Sequence, residues 1–289
     1  MKQNIRHTLQ IAFAALQNGY VPGFLKGTIY RGPGKFVCVP GLNCYSCPGA
    51  LGACPIGSLQ AVLGSSRYRF SYYIVGILVL FGFLFGRLIC GFLCPFGLVQ
   101  DLLYKIRTPK CELPPKIDRP LRLLKYAVLL ALVVALPLFA TNAFGTGSPA
   151  FCKWLCPAGT LGGGIPLVVA NEQLRSALGW LFTWKTAILA AILTASLFIY
   201  RPFCKYLCPL GAFYGLFSKL SLTRMQVDTT TCTRCGACQK QCHMQVDILH
   251  DVNSPECIRC GACVEACPHH CISYTFGLQD STKKKEITQ

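Results

Sequence analysis

The spacing C-x2-C-x2-C-x3-C occurs twice between Cys232 and Cys267, and few patterns restrict a chain more. The first copy is Cys232, Cys235, Cys238 and Cys242; the second is Cys257, Cys260, Cys263 and Cys267, followed by Pro268. Three thiolates two residues apart can wrap one face of a cubic iron-sulfur cluster, while a fourth, three residues on, points toward a neighbouring site. Zinc fits poorly, because two C-x2-C pairs already fill a tetrahedral ion and leave the third closely spaced cysteine without a role. A covalent haem needs C-x-x-C-H, and the run from Cys238 through Cys242 to His243 has one residue too many. The chemistry implied is transfer of single electrons.

The doubled spacing resembles that of bacterial two-cluster ferredoxins. The resemblance implies a small α+β domain with two [4Fe-4S] clusters in crossed connectivity. Cluster I would use Cys232, Cys235, Cys238 and Cys267; cluster II would use Cys257, Cys260, Cys263 and Cys242. His243 stands where the second copy has Pro268, which lowers the symmetry of the repeat without touching a ligand. Cys271 lies beyond the repeat and reads as a buried packing thiol.

Composition changes near residue 223. Upstream the chain is dominated by Leu, Phe, Ala, Val and Gly, and its first hundred residues contain no Asp or Glu. A chain that is 53% hydrophobic and 13% charged is not composed like a soluble protein. The expected organisation is a membrane domain over 1–222, a two-cluster ferredoxin domain over 223–276 and a disordered, solvated tail over 277–289 with Lys283, Lys284 and Lys285. Spans are expected at Phe70 to Ile89, Leu121 to Ala140 and Thr183 to Tyr200, each about long enough to cross ~30 Å of hydrocarbon. Ile5 to Leu25 is a fourth, marginal candidate because it carries Arg6, His7, Gln10, Gln17 and Asn18. The fold class is thus an α-helical membrane protein of about four transmembrane helices with broken half-helices, joined to the small ferredoxin unit. No compact apolar run followed by small residues marks a cleavable leader, so the N-terminus is expected to remain uncut.

Basic residues in the loops set the expected orientation. Lys105, Arg107, Lys110, Lys116 and Arg119 fall between the Phe70–Ile89 and Leu121–Ala140 spans, with Arg122 and Lys125 at the start of the latter, against only Lys153 and Arg175 in the connection from Asn142 to Phe182. The first loop is therefore read as cytoplasmic. The ferredoxin segment follows a span returning to that side, where unassembled thiols stay reduced. The localisation expected is the prokaryotic cytoplasmic membrane, multi-pass. The net charge of +17 does not indicate nucleic acid, since the cations gather at the ends of apolar runs and not on one amphipathic face.

A second constellation is Cys-Pro-x-Gly, found at Cys54, Cys94, Cys156 and Cys208. The last three are preceded four residues earlier by Cys90, Cys152 and Cys204, giving C-x3-C-P three times. A proline directly after the second thiol ends the incoming helix and opens a new one. Broken backbone at membrane depth is tolerated where it is buried or serves a site, so these junctions imply a cofactor. Topology groups Cys90, Cys94, Cys204 and Cys208 into an inner membrane site. Cys152 and Cys156 then need partners from the N-terminal region, with Cys47 and Cys54 preferred and Cys38 and Cys44 as alternative ligands of this outer membrane site. A self-contained set of Cys38, Cys44, Cys47 and Cys54 is the rival arrangement, and packing thiols or disulfides are the remaining reading. Cys111, alone in the basic loop, is not expected to be a ligand.

With C-x3-C-P on several spans and the doubled ferredoxin spacing, the chain resembles the NapH/NosR-type membrane polyferredoxins from about Cys38 to Cys271. The segment from Val39 to Gly52 is similar to that of iron-sulfur-binding members of the group. The resemblance implies electron transfer between a cytoplasmic or membrane donor and an acceptor in or across the membrane. The periplasmic flavin domain of NosR-like members is not in this sequence, so a flavin partner would be a separate redox protein. No general-acid pair or catalytic triad stands out, and the cysteines read as ligands of one or two further iron-sulfur clusters in the membrane domain. Two alternatives stand beside this reading: a metalloreductase, for example of copper, and a quinol-oxidising subunit with quinone as its partner.

Overall fold

The computed structural model describes residues 3–65, 71–141 and 146–277. The first residue of the expected span at Phe70 and the tail beyond Gly277, with its three lysines, lie outside the described residues. The chain is mostly helical. The longer helices are α1 (Gln3–Gln17), α2 (Pro55–Gly64), α3 (Tyr72–Phe85), α4 (Pro95–Tyr104), α5 (Pro115–Phe139), α6 (Pro157–Ala170), α7 (Trp180–Phe198) and α8 (Pro209–Leu216). Short helical turns at Leu88–Phe92, Ala150–Trp154 and Pro202–Tyr206 carry the first cysteine of each C-x3-C.

Four of these helices begin in the same way, for a local reason. Cys54, Cys94, Cys156 and Cys208 each have extended backbone, with ψ of 127, 115, 106 and 112°, because a following proline disfavours the helical region. The proline then takes the first helical position, where its missing N–H is not needed. The glycine three residues after the cysteine donates its N–H to the sulfur in two cases, Gly159 to Cys156 at 3.3 Å and Gly211 to Cys208 at 3.4 Å. Each junction thus places a sulfur at the positive end of a helix.

Among the described residues two helices are long and apolar enough to cross a membrane, α5 with 25 residues and α7 with 19. A soluble protein's core helix of such hydropathy would be enclosed. Here the apolar side chains face outward, with Leu123, Leu130, Phe139 and Trp180 exposed. The helix α3 is apolar but has only 14 residues, about 21 Å at the helical rise, against the longer run expected from sequence. It stops at Gly86, whose φ of 53° and whose missing Cβ make room for Arg259 Nη1. In α1 the polarity is inverted: Arg6, Gln10 and Gln17 are buried against the protein, while Ile5, Leu9, Ile11 and Leu16 face out. The polar residues that weaken this segment as a span lie on its inner face.

From Thr223 the chain forms a compact lobe. Strands β1 (Thr223–Val227) and β2 (Ile272–Phe276) pair antiparallel, Thr223 opposite Phe276 and Val227 opposite Ile272, so the two ends of the lobe close on each other. Short helices α9 (Ala237–Lys240) and α10 (Ala262–Ala266) pack against one another between them.

Buried ions hold this lobe to the helical part. Glu256 accepts from Arg87 at 3.0 Å and from Lys125 at 2.5 and 2.6 Å, and both cations have no exposed surface. Burial alone would raise the Glu256 carboxyl, but Arg87 and Lys125 outweigh it and hold the group below its ordinary value. Arg259 reaches back from the lobe to the carbonyls of Phe85, at 2.8 Å, and Ser218, at 2.7 Å. Asp118 takes Lys205 at 2.6 Å and pairs with Arg122, which also donates to the carbonyl of Met244 at 3.1 Å.

Replacing Glu256 with Gln leaves two buried cations without their anion, at a cost of about 3–5 kcal/mol. The expected outcome is faster amide exchange and earlier proteolytic cleavage around β1. Lys219→Ala, which breaks only the exposed 3.3 Å pair with Asp251, should cost under about 1 kcal/mol and leave the lobe docked.

Candidate iron-sulfur sites

In the lobe the eight cysteines of the doubled motif surround two cavities. One is lined by Cys232, Cys235, Cys238 and Cys267. The other is lined by Cys242, Cys257, Cys260 and Cys263. Backbone sign alternation makes both. Arg234 (φ 53°) and Gly236 (φ 75°) flank Cys235, and Arg259 (φ 52°) and Gly261 (φ 79°) flank Cys260. The same conformation recurs three residues after the fourth cysteine of each copy, at Gln245 and His270. Such alternation turns successive N–H groups toward one centre and suits an anionic group.

The residues fit the cluster chemistry that the spacing implies. Four motif cysteines line each cavity, and among the described residues no three Cys, His, Asp or Glu side chains are grouped as a single-metal site. Met225, Val246, Ile248 and Ile258 shield the second cavity, and the Val246 N–H donates to Cys242 Sγ at 3.4 Å. Burial pushes the Cys257 thiol up to about 12, so iron must displace its proton on binding. Cys271 is buried as expected, but its sulfur lies 3.2 Å from that of Cys267 and it lines the first cavity beside the four motif cysteines. His243 packs between Tyr104 and Tyr200, with ring centroids 5.5 and 5.2 Å away.

In the helical part, Cys90, Cys94, Cys204 and Cys208 are all buried and lie within electrostatic range of one another. Two arginines tie their backbones together reciprocally. Arg87, three residues before Cys90, donates to the Cys204 carbonyl at 3.1 Å; Arg201, three residues before Cys204, donates to the Cys90 carbonyl at 2.6 Å. Asp101 anchors Arg201 with two contacts of 2.6 Å and also pairs with Arg6 at 2.9 Å. Glycines of the junctions give the arginines room: a Cβ at Gly97 would lie 3.2 Å from Arg201 Nη1, and one at Gly211 3.4 Å from Arg87 Nη2. Neither arginine was singled out by its motif position, although R-x2-C-x3-C-P occurs at both places.

The remaining cysteines depart from the expected pairing at one position. Cys44, not Cys47, comes together with Cys54, Cys152 and Cys156. A Cβ at Gly159 would stand 3.6 Å from Cys156 Sγ and 3.7 Å from Cys44 Sγ, and one at Gly57 would stand 3.7 Å from Cys54 Cβ and 3.8 Å from Cys152 Sγ. Cys47 instead donates to Asn18 Oδ1 at 3.4 Å. The turn from Cys44 to Cys47, closed by a 3.1 Å backbone bond, sets Cys44 beside Gly159 and Cys47 beside Gly162 and Asn18, which spacing alone does not reveal. Cys38 is buried in a parallel bridge to Ala53, and Cys111 is exposed. Between the two sets lies the fully buried Tyr214, within electrostatic range of Cys90, Cys94, Cys38 and Cys54, its hydroxyl donating to the Pro40 carbonyl at 3.0 Å.

Comparison with known proteins agrees with this chemistry. A family model described as a 4Fe-4S binding domain matches residues 70–114, 127–167 and 180–227, and one described as a 4Fe-4S dicluster domain matches residues 224–268. The uncharacterized protein MJ0750 of Methanocaldococcus jannaschii is 29% identical over 209 residues, covering 70% of this chain and 78% of that protein. The putative electron transport protein YccM of Escherichia coli is 31% identical over 217 residues, 72% of this chain and 56% of YccM. The regulatory protein NosR of Pseudomonas aeruginosa is 30% identical over 171 residues, 56% of this chain and 21% of NosR. No solved structure gives a significant match. The chain belongs to the NapH/NosR-type membrane polyferredoxins, iron-sulfur proteins of electron transport.

Proposed function

We propose that this protein relays electrons between a cytoplasmic donor and an acceptor in or across the membrane, through four cysteine sets. Bound iron-sulfur clusters would supply one-electron carriers that change charge with little change of structure. In this reading Cys232, Cys235, Cys238 and Cys267 hold cluster I, and Cys242, Cys257, Cys260 and Cys263 hold cluster II. The inner membrane site is Cys90, Cys94, Cys204 and Cys208, and the outer one is Cys44, Cys54, Cys152 and Cys156. The acceptor is a separate redox protein, flavin-containing or not, or a quinone.

One contact carries the proposal. A Cβ at Gly91, the residue after Cys90, would lie 2.5 Å from the carbonyl oxygen of Ile258, the residue after Cys257. The ligand loops of the inner set and of the second lobe cavity therefore touch backbone to backbone, with no side chain between them. Arg87 and Glu256 lock this contact from one side and Arg259 from the other. The residues of the chain thus bring adjacent carriers close and keep solvent out.

A four-pass arrangement with the lobe on the cytoplasmic side is supported by the seven cations from Lys105 to Lys125, because Arg122 and Lys125 meet the lobe directly. Reporters fused after Gly277 and inserted near Lys116 should both behave as cytoplasmic; an external signal at either would invert the orientation.

Two further outcomes test the carriers. Cys235→Ser and Cys260→Ser should each remove one low-potential EPR signal of the lobe and leave the iron of the helical part in place; full iron content with both signals intact would reject the assignment. The double variant Cys94→Ala/Cys208→Ala, reconstituted in vesicles, should still let a cytoplasmic-side donor reduce the lobe while flux to an external acceptor stops. Unchanged flux in the folded double variant would exclude the inner set as an obligatory step.

A further inference from the structure

Gln60 and Gln100 are buried without exposed surface, in matching places. Each stands six residues after the cysteine of a Cys-Pro-x-Gly junction, Cys54 for one and Cys94 for the other. The Oε1 of Gln60 accepts the Phe151 N–H at 3.0 Å, and the Oε1 of Gln100 accepts the Phe203 N–H at 3.2 Å. A backbone N–H can only donate, so these bonds fix which end of each amide is oxygen. The amide nitrogens must then face the other way. Gln60 Nε2 lies 3.2 Å from Cys152 Sγ, and Gln100 Nε2 lies 3.1 Å from Cys204 Sγ. Each Nε2 also bonds its own helix, to the carbonyl of Ile56 at 3.3 Å and of Phe96 at 3.4 Å.

Two glutamines on different helices thus repeat one circuit: junction cysteine, helix, amide, sulfur of the cysteine opposite. Accepting the Phe151 and Phe203 N–H groups accounts for the amide oxygen, but not for an amide nitrogen set against a cysteine sulfur in both places.

We infer that Gln60 and Gln100 are positioning residues that donate an N–H to the ligand sulfurs of Cys152 and Cys204 and raise the reduction potential of the two membrane sites. A donated N–H draws charge from a thiolate and so favours the state that carries one more electron. No bond forms or breaks: the reductant used in the titration gives up one electron to the site, and the donated N–H would offset part of the added negative charge on sulfur. The inference rests on the proposed ligand sets, and iron analysis separates the two.

The experiment uses the full chain, purified anaerobically with its clusters, and the variants Gln60→Met and Gln100→Met, which keep side-chain length and lose the donor. Iron and acid-labile sulfide are counted per chain, and reductive titration is followed by EPR. The expected result is unchanged iron, with one midpoint lowered in each variant and a different one in the two. Unchanged midpoints at full iron content would overturn the inference, whereas iron confined to the lobe in the unmodified protein would overturn the ligand sets themselves. Should either variant lose its membrane iron, pulsed EPR on the unmodified, reduced protein with isotope-labelled glutamine amides decides: a hyperfine coupling to the labelled nitrogen is expected, and its absence sinks the idea.

Discussion

The helical part depends on the constraint that a proline imposes on the cysteine before it. A following proline disfavours helical backbone, and at these four thiols the backbone is extended, so the incoming segment stops there and the proline opens a new helix. Four such stops would be costly in hydrocarbon if their freed polar groups had no partners. Instead the glycine N–H groups turn to sulfur at Cys156 and Cys208, and the glutamine amides take up the N–H groups of Phe151 and Phe203. The breaks become the sites, and the positive helix ends face the place where thiolate charge gathers.

Charge distinguishes the inner set from the outer. Arg87 and Arg201, both without exposed surface, sit beside Cys90 and Cys204 and are held by Glu256 and Asp101. Among the described residues no arginine pair braces the outer set; Lys185 donates to the Cys152 carbonyl at 3.2 Å, and Lys35 lies within electrostatic range of Cys44. Buried arginines need a compelling partner, because an unpaired guanidinium in such surroundings is severely penalised. Their placement on cysteine carbonyls makes the same side chains both braces of the ligand loops and a positive field around them.

Much of this was legible in the sequence where chemistry requires a fixed spacing. The doubled cysteine motif predicts the grouping that lines the two cavities, and the prolines predict four helix starts. Long-range geometry was not legible. Nothing in the spacing distinguishes Cys44 from Cys47, because one tight turn decides which sulfur faces Cys156. The segment after Gln3 looks like a poor span, since sequence cannot say that Arg6, Gln10 and Gln17 share the face turned inward. Arg87 and Arg201 look like ordinary cations at the ends of apolar runs, and only their reciprocal bonds to Cys204 and Cys90 reveal another role. Gln60 and Gln100 carried no signal beyond a shared offset from a cysteine.

The order of the membrane cysteines along the chain has its own consequence. The outer set draws on Cys44, Cys54, Cys152 and Cys156, and the inner on Cys90, Cys94, Cys204 and Cys208, so the two loops of chain interlock like links. Neither set can be cut out as a module, and any graft between relatives must exchange both together. During synthesis the outer set is complete once Cys156 has emerged, the inner only after Cys208, and the lobe last. The cysteines of the three groups thus become available in the order outer, inner and lobe as the chain lengthens.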